Sequence, residues 1–194
     1  MATMDKSRVA LDFSGAVRSA FAFLKGFGFR EIGTEATIVR YATERVFLNV
    51  YHGRSSYELG IEVGLLDASS EERGYSLSEF VRLVEPAEAA QLKDFCATTA
   101  SEVANGVTRL ATQVKQYVAR VLSGDEAIFA VLALQRREWA DAFAADIAYR
   151  QVSPKAAAAF REKRYREAAN LYESIKSRLS PAELTKLEYA KQHR

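Results

Sequence analysis

Cysteine is nearly missing from this sequence: Cys96 is the only one in 194 residues. No internal disulfide can form, so a disulfide scaffold is excluded, and a lone thiol suits a reducing, cytoplasmic setting. Histidine is almost as scarce. His52 and His193 are the only two, and one cysteine with two distant histidines does not make the usual zinc ligand sets, so no metal is expected. P-loop, glycine-rich dinucleotide turn, HExxH and CxxC are all absent, and no cofactor is expected. Three prolines and ten glycines are too few for a linker or a low-complexity segment. The longest apolar run, residues 127–134, stops at Gln135-Arg136-Arg137-Glu138, far short of the ~20 residues a membrane span needs. The opening residues, MATMDKSRVALDF, hold no apolar stretch of signal-peptide length. No membrane partner is expected. Charge of one sign is lacking too: the net +2 is too small to indicate a nucleic-acid binder by itself.

What is present supports a folded body. At 48% hydrophobic and 27% charged residues, the chain can build a sizeable core. Residues 14–26 read as a helix, with Val17, Ala20, Phe21 and Leu24 on one stripe and Gly26 and Gly28 as stops. Residues 37–41, 46–52 and 56–63 alternate in polarity and are rich in β-branched and aromatic side chains. Gly53-Arg54 as a two-residue turn sets Val50 opposite Tyr57, Leu48 opposite Leu59 and Val46 opposite Ile61, while Tyr41 faces Val46. The expectation is a three-stranded antiparallel meander with the first helix on its buried face.

The other face carries Ile38, Arg40, Phe47, Asn49, Tyr51, Glu58 and Glu62. Aromatic and charged side chains on one surface form a candidate recognition patch, the plainer reading being that Arg40 pairs with Glu58 or Glu62. Glu58 and Glu62 share that face as a candidate metal-holding or acid–base pair. His52 is read as solvated beside its turn.

After a polar connector at 66–74, Ser76 and Glu79 form a capping-box pattern. Leu92, Cys96, Thr99, Val103, Val107, Leu110, Val114, Tyr117 and Val121 then recur at helical spacing, as one long helix or two with a bend near 98–101. This places Cys96 on an inward stripe. Gly124 and Asp125 reverse the chain into a second arm with Ile128, Leu132, Trp139, Phe143 and Ile147 inward, and Ser153-Pro154 caps another helix. The architecture expected is α+β: a small domain over residues 1–85 and an all-α region over 86–194. The latter comprises a long antiparallel helical hairpin at 86–151 and a helical pair at 154–194.

Alanines at 156 and 168 let two helices approach closely, with Tyr165 and Tyr172 filling the groove beside them. On these residues, and on Ser180-Pro181 followed by Leu184, Leu187, Tyr189 and Ala190, the last 40 or so residues resemble a tetratricopeptide repeat. Lys163 stands where that family's turn glycine is common, and the first helix lacks the usual tryptophan or leucine anchor. The resemblance implies a surface that binds peptides or proteins and no reaction. Residues 39–64 resemble short bacterial proteins of no named family.

Residues 126–194 hold 13 basic and 9 acidic side chains, including the run Arg161, Lys163, Arg164 and Arg166, which reads most simply as a solvated turn. The function expected is binding to another protein without catalysis, as in a bacterial immunity or toxin-neutralising accessory protein; a homo-oligomer is also open. The alternatives are a metal-assisted hydrolase using Glu58 and Glu62 with Arg40, and nucleic-acid binding through the basic run.

Overall fold

The computed structural model describes residues 8–66 and 74–193; positions 67–73 of the expected polar connector lie outside the described residues. Helix α1 (Phe13–Ala20) leads into a 3-10 stretch at Ala22–Phe27, which ends at Gly28 with φ +80°. Val17, Phe21 and Leu24 are buried along the expected stripe.

The chain then builds an antiparallel sheet in sequence order: β1 (Arg30–Glu35), β2 (Ile38–Ala42), β3 (Val46–His52) and β4 (Glu58–Leu65). Two short strands, β5 (Tyr75–Ser76) and β6 (Phe95–Cys96), take the far edge of β4. The sheet is thus six-stranded, with the three expected strands in its middle. Their register differs from expectation. His52 faces Leu59, Val50 faces Ile61 and Leu48 faces Val63, while Tyr41 faces Leu48. The β3–β4 turn runs through Gly53–Tyr57 and not two residues, closed by Gly53 N–H to Glu58 O at 2.7 Å and Tyr57 N–H to Gly53 O at 3.0 Å. Both slips are by an even number of residues, so every side chain keeps its face. Val39, Leu48, Val50, Leu59, Ile61 and Val63 accordingly form the buried face, each fully buried side chain contributing roughly 1.5–3 kcal/mol.

Helix α2 (Leu77–Val84) starts at the expected capping box, with Ser76 N–H donating to Glu79 at 2.8 Å. Beyond α3 (Pro86–Ala89) the expected long helix does not form. Residues 90–99 leave helical geometry, deliver β6 to the sheet, and α4 (Ala100–Tyr117) begins at a second capping box, Thr99 with Glu102. Cys96 is therefore an exposed edge-strand residue and not an inward helical one. From Val103 onward the stripe holds: Val103, Val107, Leu110, Val114 and Tyr117 are buried in one cluster with α1 and the sheet. After α5 (Ala119–Leu122), Gly124 (φ +93°) reverses the chain, while the Asp125 carboxylate, expected as an N-cap, instead holds Arg120 at 2.6 Å.

Helix α6 (Ala127–Arg161) is continuous over 35 residues and contains Pro154, so no new helix begins there. Pro154 lacks the N–H that would bond to Arg150, yet alanines at 156–159 are strong helix formers and carry the helix on. The chain divides into Met1–Leu134 and Gln135–Arg194, not at residue 85, because α4 buries its stripe against the sheet. No helix among the described residues is long and apolar enough to cross a membrane.

In the second unit α6, α7 (Tyr165–Ser174) and α8 (Pro181–Gln192) enclose Ala156, Ala159, Ala168, Ala169, Tyr172, Leu187 and Ala190. The α6–α7 turn closes with Arg164 N–H to Ala159 O at 2.9 Å and Lys163 N–H to Phe160 O at 3.1 Å. This is a Schellman closure, which requires the left-handed conformation that Lys163 adopts at φ +60°. A side chain there costs about 1 kcal/mol. Lys163→Gly is expected to stabilise this unit by about 0.5–1 kcal/mol, checked by denaturant unfolding followed by helical circular dichroism.

Candidate functional site

On the outer sheet face the expected patch separates into three parts. Arg40 on β2 reaches back to Glu35 at 2.8 Å and not to Glu58 or Glu62; Glu35 also receives Arg54 at 3.4 Å. The hydrogen bond from Arg40 holds the Glu35 carboxyl below its usual range. In the middle, Asn49 Nδ2 donates to Glu62 at 3.1 Å across β3–β4. Phe47 is buried. At the far end Tyr51 lies over Gly60, where an added Cβ would meet the ring at 2.3 Å. Burial, and then the charges of Glu58, Glu62 and Asp94, raise the Tyr51 phenol above its ordinary value.

Glu58 and Glu62 are four residues apart on β4, about 13 Å at a strand rise of about 3.3 Å per residue. That separation is too wide for one ion or one proton transfer to join them. No group of three or more His, Cys, Asp or Glu among the described residues could hold a metal.

Beside Tyr51 a cleft of about 320 Å³ opens at the outer edge of β4. Its apolar walls are Leu59, Ile61, Leu77, Leu110 and Phe95. The rim carries Arg82 from α2, Arg109 from α4 and Lys93, against Glu58 and Asp94. Helix α4 approaches closely here because Gly106 has no side chain: a Cβ would sit 2.5 Å from both Leu59 and Phe95. Of these residues, the sequence marks only Tyr51 and Glu58 as binding candidates, with Leu59, Ile61 and Leu110 expected in the core.

His52, expected in solvent, is 1% exposed. Its ring stacks on Phe13 at 5.7 Å and meets Tyr57 edge-on. Arg8, itself 4% exposed, places Nη1 3.0 Å from His52 Nδ1, donates from Nη2 to the carbonyls of Gly53 and Arg54, and lies 3.7 Å over the Tyr57 ring. An arginine only donates, so Nδ1 accepts and Nε2 carries the proton that goes to Ala97 O at 2.8 Å. Burial lowers the His52 pKa, and Arg8 lowers it further against the carbonyls of Ala97 and Tyr57. This cluster locks the β3–β4 turn, with Tyr57 at φ +57°, onto the N-terminal segment.

In the second unit the basic run is not a uniform patch. Arg161, Lys163 and Arg166 are exposed, while Arg164 is held by Glu162 at 2.7 Å and by Glu167. Phe160, Tyr165, Tyr189 and His193 cluster nearby, with Tyr189 and His193 stacked at 3.9 Å. Of the stripe on α6 expected to face inward, Ile128 and Leu132 are buried, while Trp139, Phe143 and Ile147 are not. Trp139 is 55% exposed, Phe143 54% and Ile147 40%, and the first two stack at 5.4 Å with planes 8° apart. The expected first arm of the hairpin is not one helix: α4 begins only at Ala100 and is folded into the core of the first unit.

No protein-family model, curated protein or solved structure matches this chain.

Proposed function

We propose that the protein works by binding another protein through the Trp139–Phe143–Ile147 stripe of α6. The observation that carries this reading is the stacked, half-exposed pair of aromatic rings on a helix that packs its neighbours further along, through Ala156 and Ala159. Spacing of four residues along one helix face is the pattern by which a helix seats in a partner's apolar groove. Tryptophan in such a seat carries much of the binding energy at protein interfaces. The resemblance of α6–α8 to a tetratricopeptide-like pair agrees with an interaction role: small side chains at 156, 159, 168 and 169 close the helices together, with Tyr172 between them. Within that class the reading we favour is a bacterial accessory protein of the immunity or toxin-neutralising type, since the sequence holds no cofactor motif. The nucleic-acid alternative draws no support from a basic run whose Arg164 is occupied by two glutamates.

The test is recovery of partners from lysate by the full chain and by a Trp139→Ser/Phe143→Ser variant. One reproducible partner is expected with the parent protein, reduced at least tenfold with the variant, whose unfolding curve should be unchanged. Equal recovery by both proteins, or no partner above background, would count against the stripe.

A further inference from the structure

The cleft beside Tyr51 gathers four charged side chains that do not pair with one another. Glu58 and Asp94 bring two negative charges, Lys93 and Arg109 two positive ones, and none of the four has a side-chain hydrogen bond or ion pair among the described residues. Arg82 already has a partner, so the charges left over are balanced. Pairing between exposed side chains contributes only about 0–1 kcal/mol, so a wet cleft can hold both signs apart. The two signs enter from different elements. Glu58 starts β4 opposite Cys96, and Asp94 immediately precedes β6. The charges of both act on the Tyr51 phenol, which places them at one end of the cleft. Arg109 comes from α4, three residues beyond Gly106, where that helix meets Leu59 and Phe95. A break in the sheet edge lies between, since β6 ends opposite Leu59 and β5 begins opposite Glu62. Leu92 and Phe95, both half-buried, give the cleft an apolar wall.

A ligand that satisfies such a rim carries both signs itself. The volume of about 320 Å³ stands at the small end of ligand sites, which run from about 300 to 1,000 Å³, and so favours a small molecule over a length of chain. We propose that the cleft binds a free α-amino acid with an apolar side chain. Its ammonium group lies against Glu58 and Asp94 beside the Tyr51 ring, its carboxylate against Arg109, and its side chain on Leu92 and Phe95. An aromatic face next to carboxylates attracts an ammonium group, and a guanidinium takes a carboxylate through charge-assisted N–H bonds. This site lies in the first unit and does not depend on the α6 stripe.

The probe is L-leucine, titrated into the full chain labelled with ¹⁵N and compared with L-leucinamide, which lacks the carboxylate, and 4-methylpentanoate, which lacks the ammonium group. Leucine is expected to shift the Gly60 and Phe95 amide resonances, and each analogue to bind at least about tenfold more weakly. Arg109→Gln should weaken leucine by a similar factor and leave leucinamide unchanged, while Glu58→Gln should weaken leucine and leave 4-methylpentanoate unchanged. Arg109 is exposed and Glu58 half-buried without a side-chain partner among the described residues, so the unfolding midpoints of both variants should match the parent's. No movement of these amides at millimolar leucine would overturn the proposal, as would an analogue that binds as tightly as leucine, or leucine binding undiminished in either variant.

Discussion

Arg8→Met is expected to destabilise the first unit by about 2–4 kcal/mol in denaturant unfolding, because charge-assisted hydrogen bonds contribute about 1.5–3 kcal/mol each. Methionine retains the apolar stem but leaves the Gly53 and Arg54 carbonyls and His52 Nδ1 without their donor, and removes the cation over Tyr57. Relief from holding a guanidinium in a buried site offsets part of this loss, which places the expected value below the sum of the bonds. The same cluster makes stability pH-dependent. The folded-state pKa of His52 is lowered, chiefly by burial, so the unfolded chain takes up a proton near the ordinary histidine value of 6.5 while the native chain does not. The contribution is thus present above pH 6.5 and falls away below it, by up to about 1.4 kcal/mol per pH unit until the native ring is itself protonated. His52→Gln should flatten that slope between pH 6.5 and the native pKa, and an unchanged slope would locate the acid sensitivity elsewhere.

In the second unit the largest effect is expected at Glu183. Its carboxylate accepts Ser180 N–H at 2.9 Å, Ser180 Oγ–H at 2.7 Å, Ser153 Oγ–H at 2.7 Å and Tyr149 Oη–H at 3.1 Å, joining the start of α8 to α6. Burial pushes the Glu183 pKa up, but these bonds more than offset it and bring it to about 2. Glu183→Ala is expected to cost about 2–4 kcal/mol, from the lost cap and the orphaned hydroxyls. Glu183→Gln is expected to recover part of the loss, since its amide oxygen can still accept from Ser180 while its N–H₂ donates to the Ser153 and Tyr149 hydroxyls. The carboxylate's contribution is present above pH 4.5 and is lost as pH falls toward 2. Unfolding of the second unit at pH 7 and pH 3 checks both statements.

The buried halves of both units were legible in the sequence because burial writes a period. Alternation located β2, β3 and β4, and spacings of three and four located α1 and most of α4. The register slipped because Tyr57 adopts a left-handed conformation that nothing in its identity announces; the even slip preserved the faces. Strand β1, Arg-Glu-Ile-Gly-Thr-Glu, escaped because its residues are exposed or only half-buried and it is held by pairing with β2. Residues 92–99 fell into helical period by coincidence, although Thr99 and Glu102 carry the same capping signature as Ser76 and Glu79. The Arg8–His52 cluster and the β4 cleft join residues tens of positions apart, and only the fold brings them together. The α6 stripe was legible as apolar but not as exposed, since periodicity reports a face and not its neighbour.

Trp139 is the only tryptophan in the chain, so its fluorescence reports the stripe directly. In the isolated, dilute protein the emission is expected at the red, water-exposed limit and open to quenching by acrylamide. Adding the captured partner should shift it to the blue and protect it. Emission already blue and shielded in the dilute protein would show the stripe covered by its own chain, and emission unchanged on binding would place the interface elsewhere; either result contradicts the account.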